Sequence, residues 1–342
     1  MLYKKCKLES FPVNWYDVVL TMELSENELM KKLRRFGRKS GSIVRGIGDD
    51  GAVVGLKQGQ YVLVQDALVE HIHFEFAFTS PYDVGKKAVY VNVSDILSMG
   101  AEPFYFLVTI GVPERFSYRD IQMLYKGLDK AAREFHAHLL GGDTVSTKGD
   151  FFIDISMVGK VIGKKYFGRN KAKQGDLIGV TGYLGESAYG LHLLQKGSVA
   201  KPPNRYIKRY QSPRPPYDVW KELVKSGITD AMMDISDGLI IDLERMMAES
   251  KAGAHLFLED IPIPPVLKKQ GLLTLALSGG EDYQLLFTFP RNKASVVEKI
   301  REKGFAISVI GEVVRQRGVR LFDGDREIRL KTKGYQHFGT TQ

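Results

Sequence analysis

Six short acidic stretches recur along this sequence: GDD (48–50), QD (65–66), SD (94–95), GGD (141–143), DISD (234–237) and GGED (279–282). Each stands beside a glycine or at the end of a predicted strand or helix. Carboxylates held close together repel one another and raise each other's pKa unless a cation lies between them. Hard divalent ions such as Mg²⁺ prefer such oxygen donors. Any one stretch also fits a solvated turn, with Asp at its bend or as a helix cap. Together they call for a neutralising agent, and Mg²⁺ with a nucleotide polyphosphate supplies one. The signatures of several other chemistries are missing. There is no GxxxxGK[ST] loop, no protein-kinase signature set and no GxSxG elbow. His71 and His73 lack the helical i, i+4 spacing of an HExxH zinc site.

The elements that must position these acids follow from pattern and caps. Residues 1–22 read as an extension. Ser25 and Glu28 fit a capping box that opens a helix, with Leu24 and Leu29 as its hydrophobic staple. An alternating, β-branched run from Tyr61 to Val64 predicts a strand ending at Asp66. Ser80-Pro81 predicts the start of a second helix, which carries Asn92 and Asp95. Residues 104–112 read as a strand, and Ser117 caps a helix running to about His138. GGDTV (141–145) then reads as a turn whose glycines allow close backbone approach to a ligand. A further strand covers 151–158. The Gly- and Lys-rich stretch 159–175 marks a domain boundary, dividing 23–160 from 161–342. In the second half, strand 176–181 leads to a helix at about Glu186. Residues 195–216, with five prolines, read as a long surface loop. Asp237 is placed as a helix N-cap as readily as a ligand, whereas that reading suits Asp234 poorly. A strand after GGED and an amphipathic helix over 292–303 complete the core elements.

Composition sets the outer bounds. The 342 residues suffice for two domains, and 44% hydrophobic residues can bury a large core. A net charge of +9 suggests an anionic ligand, yet the basic residues are scattered, with no basic-aromatic module for nucleic acid. The single cysteine, Cys6, rules out an internal disulfide framework and fits a reducing cytoplasm. No apolar run approaches the roughly 18 residues of a membrane span. Asn14 and Asp17 interrupt any signal-peptide core.

With the motifs in order, GIGDD, DALVEHIHF, KAVYVNVSDILSMGAEP, GGDT, DISDGL, LSGGEDYQLLF and KGYQHF, the chain resembles the thiamine-monophosphate kinases. These lie within the aminoimidazole ribonucleotide synthetase superfamily, and the likeness runs over about residues 23–340. The resemblance implies an α+β chain of two domains. The N-terminal domain would form a dimerising β-sheet or barrel, and the C-terminal one an α/β sandwich. It implies transfer of the γ-phosphoryl group of ATP onto thiamine monophosphate, with several Mg²⁺ ions, in a cytoplasmic homodimer. No general base is expected, because the acceptor phosphate is already ionised near neutral pH. By position, Asp50, Asp66, Asp95, Asp143, Asp234 and Asp237 match the metal ligands. Tyr125, Gly142, Asp143, Arg169 and Ser236 match ATP contacts, and His73, Glu281 and Tyr335 match contacts to the thiamine phosphate. One departure matters: the family's hydroxyl pair before Asp66 is replaced by Val64 and Gln65. The Gln65 amide oxygen can ligate a cation but reaches further than a threonine hydroxyl. His71 also stands where the family usually has Gly. The alternatives are another ATP-dependent enzyme of the superfamily, or a degenerate nucleotide-binding paralogue that the Val64-Gln65 change would favour.

Overall fold

A computed structural model describes residues 32, 34–36, 43–45, 53–54, 56–163, 165–197, 204–329 and 334–335. The extension, the Ser25 capping box, Asp49 and Asp50 lie outside these residues.

Two short strands, β1 (Ile43–Arg45) and β2 (Val53–Val54), pair antiparallel near the start of the first domain. Its sheet comprises β3 (Tyr61–Val69), β4 (Ala101–Pro113), β5 (His138–Thr147) and β6 (Phe152–Val161), in the order β3-β6-β4-β5. β4 and β5 run parallel and the other pairs antiparallel. Helix α1 (Pro81–Ser98) packs on β3, β6 and β4, and α2 (Tyr118–Glu134) packs against α1. Ser80 caps α1 by accepting the Asp83 N–H, and Pro81 supplies a preset first turn. From Val84 to Ser98, only Lys86 and Asp95 escape full burial. A helix buried on all sides has little reason to be amphipathic, which explains its apolar run without a polar stripe. The α1–α2 contact is backbone to backbone. A Cβ on Gly85 would stand 2.2 Å from the Leu124 carbonyl oxygen, and one on Gly127 2.0 Å from that of Tyr82.

The second sheet contains β7 (Asp176–Thr181), β8 (Ala231–Ile235), β9 (Gly253–Phe257), β10 (Gln284–Pro290), β11 (Ile307–Val314), β12 (Gly318–Asp323) and β13 (Arg326–Ile328). Its order is β13-β12-β9-β11-β7-β10-β8. Helices α3 (Glu186–Gln195), α4 (Arg205–Gln211), α5 (Tyr217–Ser226), α6 (Leu239–Glu249), α7 (Pro265–Lys269), α8 (Leu273–Ser278) and α9 (Ala294–Glu302) connect these strands. QLLFTF in β10 is buried throughout, as a strand covered on both faces should be. One core lies between the two sheets, where α1 meets Trp220, Leu285 and Phe287; a second lies on the far side around Val180, Met233 and Leu286. Trp220 Nε1 donates to the Leu97 carbonyl at 2.7 Å, tying α5 to α1.

Three expectations change. Helix α2 stops at Glu134, and His136 turns the chain at φ 57° so that β5 begins at His138. GGDTV is not a turn but lies within β5, paired to β4. Gly142 is needed for the pairing itself, since a Cβ there would stand 1.7 Å from the Val108 carbonyl oxygen. The proline-rich loop contains α4, capped by Asn204, whose Oδ1 accepts the Tyr206 N–H at 2.9 Å. Among the described residues no helix is long and apolar enough to cross a membrane.

Candidate active site

Three carboxylates from three elements converge beneath α1. Asp66 comes from the inward face of β3, Asp95 from the last turn of α1 and Asp234 from β8. Ser94 Oγ donates to Asp234 Oδ2 at 2.7 Å, and Asp66 and Asp95 share a side-chain hydrogen bond. Burial pushes the Asp66 carboxyl up, partly offset by the bond to Asp95. Asp95 stands well above the usual carboxylate range, first through burial, then through the charges of Asp234 and Asp66; Arg169 opposes the shift. Burial lifts Asp234 to about 7. Three acids so placed cannot all ionise comfortably without a cation among them. Their donors are oxygens alone, which suits a hard ion of the Mg²⁺ kind.

The sign of the linkage gives a test. Asp234 binds a proton more tightly folded than unfolded, so its contribution to stability is present at pH 4 and is lost as pH rises towards 7. Asp234→Asn keeps an acceptor for Ser94 without the charge. Without divalent cation, its melting temperature is therefore expected to gain on the wild type progressively between pH 4 and 7. A difference that is flat with pH contradicts the crowding argument.

Beside the acids lies a cleft of about 380 Å³. Its lining includes Asp66, His73, Ser236, Asp237, Glu281 and Tyr335, six of the residues singled out from the sequence. Strand pairing explains the convergence. β8 and β10 run antiparallel with Ile235 opposite Gln284, so the loop leaving β8 and the loop entering β10 share one end of the sheet. The loops are then stitched together. Glu281 N–H donates to the Ser236 carbonyl at 2.7 Å, Tyr283 N–H to that of Ile235 at 2.8 Å and Tyr335 N–H to that of Asp237 at 3.0 Å. Glu281 and Tyr283 adopt positive φ, at 68° and 48°. Such conformations cost about 1–3 kcal/mol each in non-glycine residues and persist where their surroundings enforce them. His73 Nδ1 accepts the Val69 N–H at 3.0 Å, so the neutral ring carries its proton on Nε2.

Sequence reading missed several contributors. Ile72, Tyr210 and Tyr283 also line the cleft. Asp237 is not the cap of α6. Asp242 Oδ2 accepts the N–H groups of Ser236, Asp237 and Gly238 at 3.0–3.1 Å. Arg245 Nη1 then bridges Asp242 Oδ1 at 2.7 Å and Asp237 Oδ2 at 2.5 Å. Asp282 does the same for the start of α3, accepting from Gly185 and Ser187; burial raises it to about 7. The available signal was an acid four residues after the glycine of DISDG.

Other candidates stand apart. Gln65 points to the opposite face of β3 from Asp66, and its Nε2 donates to Asp154 Oδ2 at 2.9 Å. Gly142 and Asp143 lie on β5, at the far edge of the sheet from β3. Tyr125 is buried beneath that strand and bonded to the Thr144 side chain. Arg169 is exposed, within electrostatic reach of Asp95 and Asp234. His71, in the turn after β3, contacts Glu75 at 2.9 Å, which raises its pKa.

Comparison with known proteins fits this arrangement. The model of the AIR synthase related protein N-terminal domain matches residues 48–161, and that of the corresponding C-terminal domain matches 173–324. These two matches place the chain in the class of AIR synthase related proteins. Thiamine-monophosphate kinase of Buchnera aphidicola subsp. Acyrthosiphon pisum is 36% identical over 328 residues, covering 93% of this chain and all of the relative. That of Bacillus subtilis is 33% identical, covering 87% of this chain and 94% of the relative. The chain belongs to the thiamine-monophosphate kinase family. Among solved structures, AaThiL complexed with AMPPCP and TMP superposes with a TM-score of 0.73 at 30% identity, covering 91% of this chain and 96% of that one. Escherichia coli HypE, a hydrogenase maturation protein, shares the fold at 20% identity with a TM-score of 0.72, covering 90% of this chain and 98% of that one.

Proposed function

We propose that this protein transfers the γ-phosphoryl group of ATP to thiamine monophosphate, forming thiamine diphosphate and ADP. The observation that carries the reading is one cleft that gathers Asp66, His73, Ser236, Asp237, Glu281 and Tyr335 against a buried acid trio. The acceptor is itself an ionised phosphate, so no residue need remove a proton from it. The obstacle is repulsion between two polyanions, which positioning and charge compensation must offset. Asp66, Asp95 and Asp234 would hold Mg²⁺, with Asp237 as a further ligand and Asp50 outside the described residues; Asp143, on the open face of the first sheet, would be left to a second ion. Bound there, Mg²⁺ would screen that repulsion and help hold the phosphates in line. His73 offers a neutral Nε2–H donor to the acceptor phosphate. Glu281 and the Tyr335 ring suit the cationic thiazolium. Ser236, Arg169, Gly142 and Asp143 are the ATP contacts, and Tyr125 supports β5 from beneath.

We further propose a homodimer. The open face of the first sheet carries Leu63, Leu107 and Val145, which are 76%, 44% and 40% exposed, beside Gln65 and Asp143. A second copy over that face would bury them. The division at 160/161, after an extension over 1–22, is supported by the two sheets, which occupy 61–161 and 176–328. A cytoplasmic setting is supported by the cysteine content.

The test is purified protein with ATP, Mg²⁺ and thiamine monophosphate, with chromatographic detection of products. Thiamine diphosphate with equimolar ADP supports the kinase. ATP binding without product points to a degenerate binder. Within this assay Asp66→Asn is expected to lower turnover far more than Gln65→Thr, because only Asp66 faces the acid trio. Comparable losses would make the open-face position a ligand of equal weight.

A further inference from the structure

Lys87 is a fully buried lysine on α1, and nothing in the acid trio or the cleft lining includes it. A desolvated ammonium is tolerated only where partners replace water at its three donors. All three directions are filled here. Nζ lies 2.6 Å from Glu281 Oε1, donates to the His73 carbonyl oxygen at 2.8 Å and sits 4.6 Å from the centre of the Tyr210 ring. These partners come from three separate segments: the loop before β10, the turn after β3 and helix α4. All three residues line the cleft. The ammonium therefore stands behind the wall and joins its pieces.

We propose that Lys87 is a positioning residue for the acceptor half of the site. It takes one Glu281 carboxylate oxygen and leaves Oε2 for the cleft. It fixes the His73 backbone, and hence where the imidazole starts. It also compensates the Glu281 charge from behind, so that this carboxylate is held at positive φ in one place. Lys87 and Asp95 share one helix, eight residues apart, or about 12 Å along its axis. Helix α1 thereby sets the acceptor wall at a fixed distance from the acid trio. The inference rests on the acceptor being thiamine monophosphate.

The experiment is calorimetric titration of thiamine monophosphate and, separately, of a non-hydrolysable ATP analogue with Mg²⁺, into wild type and Lys87→Met. Loss of acceptor affinity by roughly ten-fold or more is expected, with the ATP analogue changed less than about two-fold. In turnover, KM for thiamine monophosphate rises while KM for ATP holds. Glu281→Gln weakens acceptor binding likewise, and the double variant falls no further than the worse single one, because the two groups act as a unit. Wild type that binds no thiamine monophosphate overturns both the acceptor and this inference. Wild type that binds it, with Lys87→Met unchanged, overturns the role of Lys87 alone. Equal weakening for both ligands also overturns it, since that marks a general structural loss. Should Lys87→Met fail to fold, Lys87→Gln is read in its place by the same criteria.

Discussion

Asp95→Asn is expected to lower turnover by about 10²–10³-fold, the usual cost of removing one preorganised group that stabilises developing charge. It is also expected to raise the melting temperature of the protein in EDTA. The two effects have one cause. Asp95 is buried between Asp66 and Asp234, and each neighbour's charge adds to the cost of ionising it. The amide removes that repulsion at no loss of volume. With Mg²⁺ present the order reverses: the wild type gains stability from the bound ion by mass action, and the variant gains less. Product chromatography and melting curves with and without Mg²⁺ read both halves. A variant that is less stable under both conditions would identify Asp95 as a structural acid.

The second large effect is on folding. Asp242→Ala is expected to cost about 3–5 kcal/mol, since each backbone donor left without its acceptor costs about 1–3 kcal/mol. The side chain is fully buried, and its loss strands three backbone donors in the loop that carries Ser236 and Asp237. Asp237→Ala provides the contrast. It removes one partner of the half-exposed Arg245 and no backbone acceptor, so its stability cost is about 1 kcal/mol or less. Its effect falls on turnover instead. Urea denaturation of both variants separates the roles; equal losses of stability would refute the assignment of Asp242 as the loop's anchor.

Much of the architecture is legible because local signals and burial agree. Ser80-Pro81 opens α1, and alternation from Tyr61 marks β3. Most of the cleft residues are legible as motifs: Ser236, Asp237 and Glu281 lie in the loops where β8 ends and β10 begins, and His73 in the turn after β3, whereas Asp66 lies within β3. What the sequence alone does not show lies where a partner element decides. Gly142 looks like a turn glycine, but its purpose is the close approach of β4. Lys87 looks like a solvated helix lysine; its burial requires Glu281, 194 positions later in the chain. Asp242 looks like an ordinary acid in the first turn of α6. Gln65 is different, because the strand period alone puts neighbouring residues on opposite faces. This period separates Gln65 from Asp66.

Helix α1 has a consequence for how the chain is made. Synthesis releases the first domain before β8, α5 and β10 exist to cover the outer side of this helix. Until then Leu97, whose carbonyl later receives Trp220, lacks its final environment. The early half is an unfinished object with a sticky flank, the kind of species that aggregates or is held by a chaperone. In the finished protein the same dependence makes the halves one cooperative unit. Amide hydrogens of residues 84–98 are expected to exchange as slowly as those of β10, and by the same global opening, which exchange mass spectrometry would reveal.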